Sequence, residues 1–208
     1  MHISEVEKLR YLLQGPLPGE EAHRKMLSYN RPSVSDVMKQ PKDVRHGSVL
    51  IPLYPHHDTI YTSLILRPDY PGVHGGQVAF PGGQREKDET AFDTAIRESN
   101  EELGIAPDSV ENLGSLTPVY IPPSRFLVSP FVGVLHERPS FVPDPREVAS
   151  VIEVPLSDIL SDDYLTQRKV FIKAFNVHMN VPCFMLDGHV VWGATAMMIS
   201  ELRELLKP

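Results

Sequence analysis

The chain has 208 residues, of which 41% are hydrophobic, with 20 basic and 27 acidic residues for a formal charge of −7. That length supports one domain with a sizeable core, and ordinary globular usage excludes a disordered chain. The charge argues against nucleic-acid binding by bulk attraction, and no apolar run reaches the roughly 18 residues of a membrane span.

Cys183 is the only cysteine, so no intrachain disulfide is possible. It is expected to be a packing residue in a reducing, cytoplasmic compartment. The 20 prolines are about twice ordinary usage and imply many rigid loops. At the N-terminus Ile3, Val6, Leu9, Leu12 and Leu13 recur at helical spacing up to Gly15-Pro16. Charged residues interrupt this stripe, which reads as an amphipathic helix and not as a secretory signal. Residues 14–46, with Pro16, Pro18, Pro32 and Pro41, are expected to form an irregular arm. The main domain is expected over 47–208.

Val49–Tyr54 and Thr59–Leu66 read as strands joined by a hairpin turn at Pro55-His56-His57-Asp58. A short apolar run, Gln77–Phe80, meets Pro81-Gly82-Gly83. Residues 90–103 have a helical pattern closed by Gly104. Further strands are expected at Leu113–Tyr120, Leu127–Leu135 and Val148–Val154, then a helical turn over Pro155–Leu160. Val170–Val181 and Phe184–Trp192 read as strands, with a tight turn at Asp187-Gly188. Ala194–Leu206 closes the chain as an amphipathic helix. Strands and helices in one continuous unit give a mixed α/β (α+β) class.

The informative stretch runs from Gly83 to Ile105, GQREKDETAFDTAIRESNEELGI. With Glu98 at zero on a helical wheel, Glu102 lies at about 40° and Glu101 at about −60°. Ala91, Phe92, Ala95, Ile96, Ser99 and Leu103 fill the arc from about 20° to 160° that should face the core. Three crowded acids repel unless a cation sits among them, and Mg²⁺ commonly bridges such carboxylates to phosphates. A solvated acidic face on a surface helix is the competing reading. The wider pattern decides between them. Gly83, Glu89, Arg97-Glu98, Glu101-Glu102, Gly104 and Ile105 resemble the Nudix hydrolase signature at eight of its nine specified positions. Chance agreement at average residue usage is on the order of 10⁻⁷. Ser99 stands where that signature has an aliphatic residue; its hydroxyl could bond the carbonyl four residues back.

The resemblance implies an α/β/α sandwich around a mixed sheet, and hydrolysis of a nucleoside diphosphate linked to another group with Mg²⁺ or Mn²⁺. It implies Glu98, Glu101 and Glu102 as metal ligands and Glu89 as an auxiliary acid behind them, with Arg97 orienting the set. Gly82 and Gly83 would let a tight loop approach the phosphates. The run His74-x-Gly76-Gln77-Val78-Ala79-Phe80-Pro81-Gly82-Gly83 resembles the motif of the coenzyme A pyrophosphatase branch, as does Val191-Trp192-Gly193-Ala194-Thr195-Ala196. Arg67 matches that branch's basic position and is expected to contact the 3′-phosphate of coenzyme A, with His74 and Gln77 also binding substrate. A second basic residue, usual two before the histidine, is Gly72 here. A further acid is needed as base or ligand, and Glu147 is the candidate, with Asp144 second.

The resemblance covers roughly residues 47–206. The expected activity is cleavage of coenzyme A or its derivatives to 4′-phosphopantetheine and adenosine 3′,5′-bisphosphate, by a protein that could pair as a homodimer. A hydrolase of ADP-ribose or nucleotide sugars, or a silent nucleotide-binding module, are the other readings of the same residues.

Overall fold

The computed structural model describes residues 3–29, 31–39, 43–70 and 72–207. Pro41 and the side chain of Ile3, both read above, lie outside the described residues. Helices α1 (Ile3–Gln14), α2 (Gly19–Arg24) and α3 (Val34–Lys39) precede the long strand β1 (Arg45–His56). The stretch 14–46, expected to be irregular, therefore carries two helices of 6 residues each, too short to display a period in sequence. β1 turns through His57 and Asp58, both left-handed, into β2 (Thr59–Leu66). The short strands β3 (Val78–Ala79) and β4 (Gly82–Gln84) lead to α4 (Ala91–Leu103).

There follow β5 (Glu111–Ser115), β6 (Val119–Ile121), β7 (Phe126–Val134) and β8 (Ser150–Pro155). The chain then forms α5 (Leu156–Leu160), β9 (Leu165–Ile172), β10 (Val177–Leu186), β11 (His189–Trp192) and α6 (Gly193–Leu206).

Two expected strands are broken. Leu113–Tyr120 divides into β5 and β6 because Pro118 has no N–H for a ladder and the Thr117 amide is drawn off to the Glu201 carboxylate. Val170–Val181 divides into β9 and β10 at a turn over Lys173–Asn176, where Asn176 takes the left-handed conformation without a glycine to announce it. The strand expected from Val148 starts at Ser150, since the Val148 amide bonds Asp144 in a turn.

The large sheet is mixed. β1 runs parallel to β7 over nine residue pairs, from Arg45 opposite Phe126 to Leu53 opposite Val134, and its other pairings are antiparallel. On the far side of β1, pairing with β2 covers only Leu53–His56, while β4 pairs with Gly47–Val49. β2 in turn pairs with β3 at Ile65 and Leu66, and with β8 along its other edge. β1 before Leu53 and β2 after Thr62 therefore diverge, and the segment from β3 to β4 fills the gap between them.

One core, holding Ile51, Leu53 and Leu64, lies between this sheet and α1, α6 and the three-stranded sheet β9–β10–β11. The second, with Tyr54, Ile65 and Leu103, lies under α4. Alternate side chains of β1 thus serve opposite layers. The result is the expected α/β/α arrangement around a mixed sheet. Among the described residues, no helix is long and apolar enough to cross a membrane.

Candidate active site

α4 is defined at both ends. Thr90 and Asp93 form a capping box, and Gly104 closes the helix in the left-handed conformation. Its inner side packs on β1 and β4, which brings Glu98 against Gly83. A Cβ on Gly83 would overlap the Glu98 carboxyl group, so only glycine allows this approach. Ser99 is fully buried and its hydroxyl donates to the Ala95 carbonyl at 2.6 Å, four residues back.

Glu102 is also fully buried. Its Oε2 accepts from the Gly82 amide at 2.7 Å, and Oε1 faces Arg67 Nη2 at 3.2 Å without a hydrogen-bond partner. Burial raises this carboxyl to about 7 against the opposing pull of Arg67 and the Gly82 amide. Arg67 is anchored by donating to the Gly82 carbonyl at 2.9 Å.

The loop after β7 is pinned to the end of α4. Val142 N bonds the Leu103 carbonyl at 2.8 Å and Asp144 N bonds the Glu102 carbonyl at 3.0 Å. This carries Glu147 to the helix. One carboxylate oxygen each from Glu98, Glu102 and Glu147 lies within 4.8 Å of the others. Burial, then the charges of Glu101 and Glu147, raise Glu98, while Arg97 opposes them. Hard oxygen donors crowded this closely suit a divalent cation, and the unpartnered, buried Oε1 of Glu102 is an atom such an ion would satisfy.

Glu101 stands outside that trio. It is more than half exposed and pairs with Arg97 Nη1 at 2.9 Å. Arg97 is the hub of the remaining acids: Nε donates to Glu89 at 2.6 Å and Nη1 to Glu98 at 3.0 Å, while Nη2 also reaches the Gln84 carbonyl. The bond from Arg97 holds Glu89 down at about 2. Asp144 is turned away, paired with Arg146.

A cavity of about 400 Å³ opens from the carboxylate trio. His74 and Gln77 line it, bonded to each other at 3.2 Å, and so do Arg67, Gly82 and Gly83. Burial lowers the His74 imidazole, helped by Arg67 and opposed by Gln77. Trp192 at the end of β11, with Gly193 and Thr195 at the start of α6, forms another part of the wall.

A family model described as NUDIX domain matches residues 44–175, more than half of the chain. The chain belongs to the Nudix family. The protein named Uncharacterized Nudix hydrolase NudL from Photorhabdus laumondii is 36% identical over 165 residues, 77% of this chain and 84% of that one. Nudix hydrolase 3 of Caenorhabditis elegans is 31% identical over 175 residues, covering 77% and 73%. Among solved structures, a MutT/nudix family protein from Enterococcus faecalis aligns over 99% of this chain and 75% of its own, with a TM-score of 0.51 and 16% identity, a likeness of fold.

This Nudix hydrolase also draws cavity residues from beyond the matched span. Tyr29 and Arg31, between α2 and α3, line the wall with Trp192 and Gly193. The sequence reading missed both, for they sit in a proline-rich lead-in with no motif around them. The only signal was compositional: an aromatic and a cation together in a stretch poor in apolar clusters.

Proposed function

We propose that this Nudix hydrolase cleaves the diphosphate of coenzyme A or a derivative, releasing 4′-phosphopantetheine and adenosine 3′,5′-bisphosphate. One observation carries the reading. The two segments that resemble the coenzyme A branch, His74–Gly83 and Trp192–Thr195, are more than a hundred residues apart, yet both line the cavity that opens from the carboxylate trio.

Glu98 and Glu102 would hold Mg²⁺ or Mn²⁺, which when bound neutralises diphosphate charge and activates water for attack. Arg97 keeps Glu98 and Glu89 in place, and Arg67 with the Gly82 amide fixes the rotamer of Glu102. Glu147, exposed beside Glu98, takes a proton from the attacking water on a carboxylate oxygen. As the water oxygen bonds to phosphorus, the bridging P–O bond breaks and the second phosphate leaves. Gly82 and Gly83 present their backbone to the cavity beside the diphosphate, and His74 with Gln77 contacts the substrate further along the wall.

The test is a product analysis with Mg²⁺ or Mn²⁺ over coenzyme A, ADP-ribose and nucleotide sugars. The two named products from coenzyme A, with the highest kcat/KM of the panel, are expected. A higher kcat/KM for ADP-ribose would replace the substrate assignment, and binding without turnover of any diphosphate would replace catalysis by a silent binding role.

A further inference from the structure

The cavity wall among the described residues includes two arginines, Arg31 and Arg67. Their circumstances differ. Arg67 is committed to the Glu102 carboxylate and the Gly82 carbonyl. Arg31 has no carboxylate partner among the described residues: Nη1 donates to the Met197 thioether at 3.5 Å, a weak acceptor, and Nε is buried without any hydrogen-bond partner. Its guanidinium lies 4.8 Å above the Tyr29 ring, which is braced edge-on by Phe175 at 5.1 Å between centroids. This contact holds the guanidinium in the cavity wall. A Cβ placed on Gly193 would be 3.9 Å from Arg31 Nη2, so the guanidinium stands beside the first residue of α6, a helix with no side-chain cap. Burial lowers the guanidinium's hold on its proton, with Tyr29 opposing. A guanidinium nevertheless stays charged at neutral pH. A half-buried cation without an anion is a costly arrangement that an incoming anion relieves.

We infer that Arg31 determines specificity by receiving a phosphate monoester that the substrate carries apart from the diphosphate being cleaved. This rests on the proposed hydrolysis of a nucleoside diphosphate in the same cavity. The planar fork matches two oxygens of a phosphate, and the start of α6 adds N–H groups of the same sign. Arg67, held between Glu102 and Gly82, belongs to the diphosphate end.

The experiment measures binding, so it does not depend on turnover. Adenosine 3′,5′-bisphosphate and adenosine 5′-monophosphate differ by one phosphate monoester, and both are titrated calorimetrically into the wild-type chain, Arg31→Gln and Arg31→Lys with Mg²⁺ present. The wild type should favour the bisphosphate by about tenfold, which corresponds to about 1.4 kcal/mol. Arg31→Gln should shrink that ratio to about twofold or less, and Arg31→Lys should restore part of it, since the charge returns without the fork. A structural defect would weaken both ligands alike and leave the ratio unchanged. No preference in the wild type, an unchanged ratio in Arg31→Gln, or equal loss on both ligands would each overturn the assignment. An Arg31-dependent ratio in a protein that leaves coenzyme A intact would uphold this inference and defeat the substrate reading. Hydrolysis of coenzyme A with no such ratio would do the reverse.

Discussion

Glu101 and Glu102 are adjacent in sequence and opposite in environment. Glu102 is sealed between Arg67 and the Gly82 amide, whereas Glu101 is exposed and pairs with Arg97. Glu102→Gln should lower kcat at least about a hundredfold, the scale of losing one well-placed electrostatic group. Glu101→Gln should cost less than about tenfold, and steady-state rates at saturating Mg²⁺ would show it; equal losses would return Glu101 to the ligand set. The wheel already held this distinction, since about 40° places Glu102 inside the core-facing arc and about −60° places Glu101 outside it. Reading the acids as one cluster hid the difference. Ser99 is the second residue-scale case. Its site is fully buried and its hydroxyl satisfied, so Ser99→Leu should destabilise by about 1–3 kcal/mol through overpacking. Ser99→Ala should cost less than about 1.5 kcal/mol, because it removes one helix-internal bond and leaves the Ala95 carbonyl in the helical ladder. Urea titrations of both variants check this; a more stable Ser99→Leu would reveal an empty space there. Arg31 had no comparable signal, because its surroundings depend on α6, which begins 162 residues further along the chain.

At the scale of elements, α2 and α6 are fastened by Glu201. This buried carboxylate accepts from His23 Nε2 at 2.8 Å, from the Gly19 amide at 3.1 Å, and from the amide and hydroxyl of Thr117. Burial pushes the carboxyl up, but the bonds from His23 and Thr117 outweigh it and hold the carboxyl below its ordinary range. A carboxylate depressed in the folded state contributes stability that is complete above its unfolded value of about 4.3, and that contribution is lost as pH falls through the folded value. Tm of the wild type should therefore exceed that of Glu201→Gln at neutral pH, and the gap should close on acidification below about pH 4. A gap constant down to pH 2 would mean that the carboxylate's charge is not what fastens the helices. The long helix α4 was legible because cap, period and closing glycine all agree. The divided strands were not. Asn176 makes its turn with no glycine or proline beside it, and the break at Thr117 depends on a carboxylate 84 residues away.

For the whole molecule, the N-terminal arm is part of the main core. Leu9 and Leu13 from α1, and Met26 after α2, are buried in the same cluster as Ile51, Leu64 and Met198. Burying three such side chains is worth about 1.5–3 kcal/mol each, a large share of the 5–15 kcal/mol typical of a domain. A chain lacking residues 1–28 should lose its cooperative calorimetric transition. A truncated chain with a sharp transition near the wild-type Tm would show that residues 29–208 fold without α1 and α2.

The trio Glu98, Glu102 and Glu147 also has a thermodynamic consequence. Three acids held within 4.8 Å oppose one another in the folded chain and disperse when it unfolds. A cation that binds them therefore favours the native state by mass action. At a hundred times its dissociation constant it would contribute about 2.7 kcal/mol, or a rise in melting temperature of about 5–10 °C for a chain of this size. The logarithmic climb of Tm with added Mg²⁺ would then read the ion's affinity directly, and Glu102→Gln should flatten it. Without such a cation the mutual repulsion of the three carboxylates stays in the folded chain, so a chain that binds one would unfold at a lower temperature when stripped of it.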